Sequence, residues 1–333
     1  MTRYICYTWH PQLTAVVNCA LCSGLSRIES LRISHQSTRL GIRPIIKLEE
    51  DVDTQEEVQK TGRNLYLYRD PTDELNKIRY DLIKGEEENY NVLVLPYLFT
   101  PKNQGISAQV ESWCRRNKCT FVCADYHGVS KAGEWLNEGT VTRWKQDAIE
   151  LLEKTVTGKT IIVGAAVGAW VMLRVAQERP DLVAAMVGVS CDPDFTEELL
   201  WANLSEQDKA EIMDKGRKDI KWGDNTYSIT RNLIVDGRKN LVLSGGAKSL
   251  NINCPLRLLH GTMDEEVPIS IPLRLSEAMA SNDVDVLLVK GMKHFIDTEK
   301  EYGALAIKLH RVLDDAKQAA GNYEIDLNSP GSG

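Results

Sequence analysis

The sequence lacks a long apolar run. Its longest nearly uncharged apolar stretch, 161–173, is shorter than the ~18 residues that a membrane-spanning helix needs. A net positive charge is also missing, because the formal net charge is −7 at pH 7. These absences predict a chain with no membrane span, and they argue against nucleic acid as a partner.

Metal-binding spacings are absent as well. The chain has eight cysteines, but Cys19 and Cys22 form a lone C-x-x-C without a second pair or histidine partners, so a zinc site is not supported. We therefore expect no metal and no cofactor. Free, mostly buried thiols in a reducing compartment agree best with this cysteine usage.

Residues 1–46 differ from the rest of the chain. They are rich in arginine and serine, and Glu29 is their single acidic residue. This composition is typical of a mitochondrial transit peptide. Two other interpretations stay open: a disordered tail without a targeting role, and a secretory signal whose apolar core would be 13–21, interrupted by Asn18. We expect a mitochondrial location, with the cytoplasm as the alternative.

The remaining sequence is that of a packed globular protein, with 43% hydrophobic and 26% charged residues. Segments 64–69 and 77–82 alternate between apolar and polar residues around a turn, which predicts an antiparallel hairpin with one solvated face. Continuous aliphatic strands are predicted at 92–95, 121–124, 161–163, 185–189, 256–259 and 284–289, and helices at 106–115, 141–155, 169–178 and 297–316. This alternation predicts a doubly wound, mostly parallel α/β sheet, with strands buried on both faces.

We expect one α/β domain over 47–322, followed by a flexible tail at 323–333. A longer excursion, 195–253, interrupts the strand–helix rhythm. Within it, Ser205 and Asp208 predict a capping box at a helix start. Asp236-Gly237 lies between two apolar runs and is a hairpin signal, although a short helix agrees nearly as well. An insertion of this size over the carboxyl ends of the strands would cap a binding cleft.

The strongest functional signal follows the strand predicted at 161–163. That strand runs into Gly164-Ala165-Ala166-Val167-Gly168 and then into a helix, the context of the nucleophile elbow G-x-S-x-G. The elbow needs small residues two positions before and after the nucleophile, so that strand and helix can approach. Gly164 and Gly168 meet this need. The middle residue, which should present a hydroxyl, is Ala166.

An acid and a histidine follow later strands. Asp264 lies just past the strand predicted at 256–259, and His294 just past the one predicted at 284–289. The chain order of elbow, acid and histidine is that of α/β-hydrolases, in which the acid orients the histidine. Asp192 is an alternative acid, but Asp264 fits the motif better. His260, at a strand end, is interpreted as structural.

These motifs resemble the α/β-hydrolase group that contains the mitochondrial palmitoyl-protein thioesterase, together with its bacterial serine-hydrolase relatives. The resemblance covers about 64–316 and is carried by the elbow and by 121–129 (FVCADYHGV), 142–147 (TRWKQD) and 254–267 (CPLRLLHGTMDEEV). Members hydrolyse thioesters of fatty-acylated cysteines and related acyl esters. The resemblance implies that Asp264 is the triad acid, that His294 is the base, and that Ala166 occupies the position of the nucleophilic serine.

The oxyanion loop departs from the family pattern too. Relatives follow the strand with Pro-Gly or His-Gly, whose glycine lets a backbone N–H face the developing oxyanion; here Tyr97 follows Pro96. The backbone candidates for the oxyanion hole are therefore Val167 and Leu98. Losing one donor costs about 10²–10³ in rate, and losing the nucleophile costs about 10⁶ in subtilisin.

The sequence therefore predicts a pseudoenzyme: a serine ester or thioester hydrolase fold that retains the Asp–His pair and binds an acyl ester or an acylated protein without cleaving it. The alternative is an active acyl-protein thioesterase or carboxylesterase, in which Ser190 or Cys191 replaces the nucleophile or His294 activates water. A third interpretation is an engineered serine-to-alanine change, against which the further departures at Ala165 and Tyr97 argue.

Overall fold

The computed structural model describes residues 61–69, 76–129, 139–222 and 225–327. The predicted transit peptide, 1–46, and the last part of the predicted tail, 328–333, lie outside the described residues. The strands, numbered in chain order, are β1 Gly62–Tyr68, β2 Lys77–Ile83, β3 Glu87–Leu95, β4 Cys119–Ala124, β5 Thr160–Ala165, β6 Val183–Val189, β7 Arg217–Trp222, β8 Asn225–Thr230, β9 Leu256–Gly261 and β10 Val284–Val289. The helices are α1 Gly105–Arg116, α2 Val141–Thr155, α3 Val167–Glu178, α4 Glu206–Lys215, α5 Arg231–Gly237, α6 Ser270–Ala278 and α7 Glu299–Leu327.

Eight of these strands form one sheet, in the order β1-β2-β4-β3-β5-β6-β9-β10. Along this order, the neighbouring strands β4-β3-β5-β6-β9-β10 all pair in parallel. Every residue of β5 and of β9 is buried, which explains the continuous aliphatic sequences of these strands. The predicted fold, a doubly wound and mostly parallel α/β sheet, is confirmed.

The predicted N-terminal hairpin is also confirmed. Strand β1 pairs antiparallel with β2, and β2 pairs antiparallel with β4. Tyr66 and Tyr68 are 44% and 46% exposed, whereas the alternating residues Leu65 and Leu67 pack against the core. This alternation gives the edge of the sheet its one solvated face.

Helices cover both faces of the sheet. Helices α2, α3 and α6 pack on one face through residues such as Trp144, Leu173 and Leu275. Helices α1 and α7 pack on the other face, where Trp113 and Leu309 are buried. The helical periodicity in the sequence reflects these buried sides, since each helix presents one apolar stripe to the sheet.

Helix α7 is longer than predicted. Its prediction ended at Ala316, but the helix continues to Leu327. Within the described ranges, neither α7 nor any other helix combines the length and hydropathy that crossing a bilayer requires.

Between β6 and β9 the chain leaves the main sheet. This part, 195–253, contains a π-helical turn (Thr196–Leu200), a 3-10 turn (Trp201–Asn203), helix α4, a separate antiparallel sheet of β7 and β8, and helix α5. The helix start predicted at Ser205 is present, because Ser205 Oγ accepts the amide hydrogen of Asp208 at 3.1 Å. The same hydroxyl donates to the Asp208 carboxylate at 2.7 Å.

Asp236 and Gly237 end helix α5 rather than forming a hairpin. The helix is capped by Thr230, whose Oγ accepts the amide hydrogen of Leu233 at 3.1 Å. The Asp236 carboxylate accepts the amide hydrogen of Thr142, at the start of α2, at 2.9 Å. The hairpin signal was therefore wrong here, and the short-helix alternative is correct.

Candidate active site

Ala166 forms the turn between β5 and α3. Its backbone angles, φ 49° and ψ −120°, lie in a region that side-chain-bearing residues rarely adopt. Glycines make the sharp turn possible: a Cβ on Gly164 would lie 2.6 Å from Ala169 Cα, and one on Gly168 would lie 2.0 Å from the carbonyl oxygen of Leu95. The sequence thus forms a strained strand–turn–helix bend with a methyl group at its tip.

Asp264 and His294 are hydrogen-bonded to each other. They lie in the loops that follow β9 and β10, which are adjacent parallel strands. Asp264 Oδ2 is 3.0 Å from His294 Nδ1. The other carboxylate oxygen, Oδ1, accepts the amide hydrogens of Glu266 and Val267, each at 2.9 Å. Both carboxylate oxygens are therefore fixed, and the imidazole is oriented through Nδ1.

The surrounding charges set the protonation of this pair. Burial alone would lower the pKa of His294, but the hydrogen bond to Asp264 and the negative charges of Asp264 and Glu266 raise the pKa above its ordinary value. Burial alone would raise the pKa of Asp264, but its bonds to His294 and to the Val267 amide hold the pKa below its usual range. The arrangement stabilises a proton on His294, as a base needs when it deprotonates a nucleophile.

His260 packs against the same carboxylate, which the sequence interpretation missed. It is fully buried, with Nε2 3.0 Å from the Val267 carbonyl oxygen and 3.8 Å from Asp264 Oδ2. Burial lowers the pKa of His260, which favours the neutral ring. The spacing of four residues between His260 and Asp264 across a strand end is the signal that could have indicated this contact.

Asp192 lies near the pair but does not bind the imidazole through Nδ1. Its Oδ1 is buried and has no hydrogen-bond partner among the described residues. Burial raises the pKa of Asp192 well above its ordinary value, which favours the neutral acid. Although three carboxyl groups surround His294, the described residues contain no cluster of side chains arranged to hold a metal ion.

A pocket lies beside the elbow and the Asp–His pair. It is partly open to solvent, and Ala166 and His294 both line it. Besides Ala166, the apolar and aromatic lining residues are Tyr97, Leu98, Val167, Phe195, Tyr227, Ile229, Val267 and Phe295. Three of these come from 195–253, so this part of the chain forms one wall of the pocket. An apolar cavity with a few polar groups is the usual form of a small-molecule site.

The two candidate substitute nucleophiles do not line this pocket. Ser190 is fully buried, and its hydroxyl donates to the carbonyl oxygen of His294 at 2.7 Å. Cys191 is buried as well, and burial raises the pKa of its thiol far above the ordinary value. A reactive cysteine needs a lowered pKa and access to solvent, so neither side chain has the properties of a nucleophile.

The two backbone candidates for an oxyanion hole, Leu98 and Val167, both line the pocket. In the described part of the chain, neither amide hydrogen is donated to another main-chain group. Val167 is the first residue of α3, where helix geometry leaves the N–H groups unpaired and the helix dipole favours negative charge. The Tyr97 side chain is buried, and its hydroxyl donates to the carbonyl oxygen of His294 at 3.0 Å.

The sheet order and the strained bend before α3 define an α/β-hydrolase fold. The chain is similar to the mitochondrial palmitoyl-protein thioesterase ABHD10 of Rattus norvegicus, with 29% identity over 244 residues, which is 72% of this chain and 80% of the relative. The human ABHD10 is 26% identical over 244 residues, covering 72% of this chain and 78% of the relative. No protein-family model matches the chain.

Solved structures of related proteins share this fold. The α/β-hydrolase domain-containing protein 10 from mouse superposes with a TM-score of 0.66 at 26% identity, covering 75% of this chain and 98% of that one. A putative hydrolase from Agrobacterium vitis S4 has the same TM-score, 0.66, at 23% identity, covering 71% and 93%; it supports the fold alone. The chain is therefore related to hydrolases of this fold.

Proposed function

We propose that this protein is a catalytically silent relative of the serine ester and thioester hydrolases, which binds an acyl ester or an acylated protein without cleaving it. The observation that carries the proposal is Ala166, which stands at the tip of the bend between β5 and α3 and lines the same pocket as His294. In an active hydrolase this position presents the attacking hydroxyl. A methyl group there has no lone pair with which to attack a carbonyl carbon.

The other parts of the machinery support an ancestry in catalysis. His294 would be the base and Asp264 the acid that orients it, through their hydrogen bond of 3.0 Å. The amides of Leu98 and Val167 would face the carbonyl oxygen of a bound ester. Ser190 and Cys191, the candidate substitute nucleophiles, are buried outside the pocket. The alternative of an active thioesterase would therefore require His294 to activate water directly.

The pocket suggests the ligand. Its lining is mainly aliphatic and aromatic, which suits an acyl chain. Phe195, Tyr227 and Ile229 would belong to a cap formed by 195–253 over the carboxyl ends of the strands. The relatives are named as palmitoyl-protein thioesterases, which supports a fatty-acylated ligand.

A mitochondrial location is part of the proposal. The composition of residues 1–46 and the mitochondrial names of the relatives support it. Import of the full chain into isolated mitochondria should shorten it by removal of an N-terminal segment. Recovery of the unshortened chain outside the organelle would contradict the location.

A fluorophosphonate probe tests the catalytic claim, since it labels activated nucleophiles. The full chain should remain unlabelled and should not hydrolyse p-nitrophenyl hexanoate. In Ala166→Ser, both labelling at residue 166 and hydrolysis should appear, with a rate gain of roughly 10³-fold or more. Ala165→Ser is the matched control, because Ala165 is a buried strand residue one position away; it should gain neither property.

Three outcomes would contradict the proposal. Labelling of the unaltered chain would show a working nucleophile elsewhere. A folded Ala166→Ser variant that stays unlabelled would show that residue 166 is not the nucleophile position. Absence of p-nitrophenyl hexanoate binding to the unaltered chain, measured by calorimetry, would remove the proposed binding role.

A further inference from the structure

The main-chain carbonyl of His294 accepts two side-chain hydrogen bonds from other parts of the chain. The Tyr97 hydroxyl, in the loop after β3, donates to it at 3.0 Å. The Ser190 hydroxyl, just after β6, donates to it at 2.7 Å. Tyr97 is 4% exposed and Ser190 is 0% exposed. A carbonyl oxygen has two lone pairs, so these donors saturate it without help from water.

Tyr97 also contacts the imidazole. The two rings meet edge to face, with centroids 5.5 Å apart and planes at 65°. The Tyr97 ring lies 4.8 Å from that of Phe295, the next residue in the loop. Tyr97 therefore restrains both the backbone and the side chain of His294.

Ser190 is held in an unfavourable backbone conformation while it makes its bond. Its φ is 45°, a value that favours glycine. Its amide hydrogen is donated to the carbonyl oxygen of Leu259 at 2.9 Å. This bond connects Ser190 to β9, the strand that leads to Asp264. Strained residues of this kind persist where the surrounding structure requires them, often at functional sites.

We infer that Tyr97 and Ser190 are positioning residues that together fix His294 against Asp264. They reach the His294 loop from two different strand ends, while Asp264 holds the ring from a third. This inference rests on the proposed function, because it explains how the histidine of the proposed Asp–His pair is oriented. It also gives a role to Tyr97, which stands where relatives have the glycine of the oxyanion loop.

Nitrogen-15 NMR of the imidazoles tests the inference without requiring activity. In the unaltered full chain, His294 should show a downfield Nδ1–H resonance and a raised pKa, assigned by its loss in His294→Gln. Tyr97→Phe and Ser190→Ala should each change these signals slightly, because one donor remains. The double variant should lose the downfield resonance and return the pKa toward the ordinary value, by more than the sum of the single changes.

Tyr302→Phe is the matched control, because the Tyr302 hydroxyl donates to the carbonyl oxygen of Ile296 at 3.0 Å in the same loop. It removes the same kind of bond and should leave the His294 signals unchanged. A folded double variant with unaltered His294 signals would overturn the inference. An equal change in Tyr302→Phe would also overturn it, since loss of any loop bond would then suffice.

Activity in an Ala166→Ser background gives a second measurement. There the double variant should lower kcat about tenfold or more and leave KM nearly unchanged, because misplacement of the base affects the chemical step. If Ala166→Ser itself is inactive, the proposed function fails, but the NMR result still decides the positioning role. If the NMR signals do not move while Ala166→Ser is active, the positioning role alone fails.

Discussion

The Cα of Gly168 lies against the main chain of Leu95, so closely that a Cβ on this glycine would be 2.0 Å from the Leu95 carbonyl oxygen. The first turn of α3 therefore rests directly on the end of β3. Gly168→Ala should lower the free energy of unfolding by about 2 kcal/mol or more, because main-chain atoms must move apart. Urea denaturation measures this change.

Gly303→Ala is the control for this substitution. Gly303 lies in helix α7, and a Cβ there would meet nothing within 4 Å. The same chemical change should raise the free energy of unfolding by about 0.5–1 kcal/mol, because alanine favours the helix. Similar effects at the two glycines would contradict the close contact between α3 and β3.

The Asp264–His294 pair predicts a pH-dependent stability. The folded pKa of His294 is raised above its unfolded value near 6.5, so its contribution is complete below about pH 6.5 and is lost as pH rises through the folded pKa. The free energy of unfolding should therefore fall over that range. His294→Gln should flatten the fall, whereas His310→Gln, an exposed residue of α7, should keep it. The lowered folded pKa of His260 has the opposite effect: below about pH 6.5, its contribution to the free energy of unfolding is lost as pH falls.

Asp194 predicts a second pH dependence of the free energy of unfolding, at lower pH. It is buried, and its carboxylate accepts the amide hydrogens of Val242 and Leu243 at 2.7–3.0 Å. Burial raises the pKa of Asp194 to about 6, above the unfolded value near 3.9. The folded state therefore binds more protons than the unfolded state between these values, and the free energy of unfolding should fall as pH rises across them.

Asp194→Asn removes this titration, so the free energy of unfolding should depend less steeply on pH over this range. Asp314→Asn, on the exposed side of α7, should retain it. Chemical denaturation of the three proteins between about pH 4 and pH 6.5 makes the comparison. Asp192, whose pKa is also raised, is present in all three proteins and keeps part of the slope. A slope as steep in Asp194→Asn as in the unaltered chain would contradict the assignment to Asp194.

Cys191 should resist alkylation. It is buried and its pKa is raised, so iodoacetamide at pH 8 should leave it unmodified in the folded protein and modify it in urea. Cys254 is partly exposed, with a pKa raised to about 11, and should react slowly. Peptide mass spectrometry distinguishes the two. Rapid modification of folded Cys191 would restore it as a candidate nucleophile.

The strands of the parallel sheet were predictable because each is buried on both faces and leaves an uninterrupted aliphatic signal. The hairpin of β7 and β8 was not, because its sequences, RKDIKW and NTYSIT, contain few apolar residues. Asp236-Gly237 misled for the opposite reason: the dipeptide favours a turn, but the Thr230 cap and the contact from Asp236 to Thr142 stabilise a helix.

At the candidate site, local motifs indicated the elbow, Asp264 and His294, because each follows a recognisable strand. The contact between Tyr97 and His294 could not be predicted in this way, since the two residues are 197 positions apart. Tyr97 stood out only as a departure from a family pattern. Its hydrogen bond depends on how the ends of β3, β6 and β10 come together in the folded sheet.

The bend at Ala166 also bears on how this protein could change during evolution. The main chain at Ala166 already has the unusual φ and ψ angles of the nucleophile position, so a serine there would need no movement of the main chain. Alanine codons (GCN) and serine codons (UCN) differ by a single base. Under the proposed function, gain and loss of hydrolysis are therefore neighbouring genotypes, and screening natural alleles for a serine at residue 166 is a direct way to look for active forms.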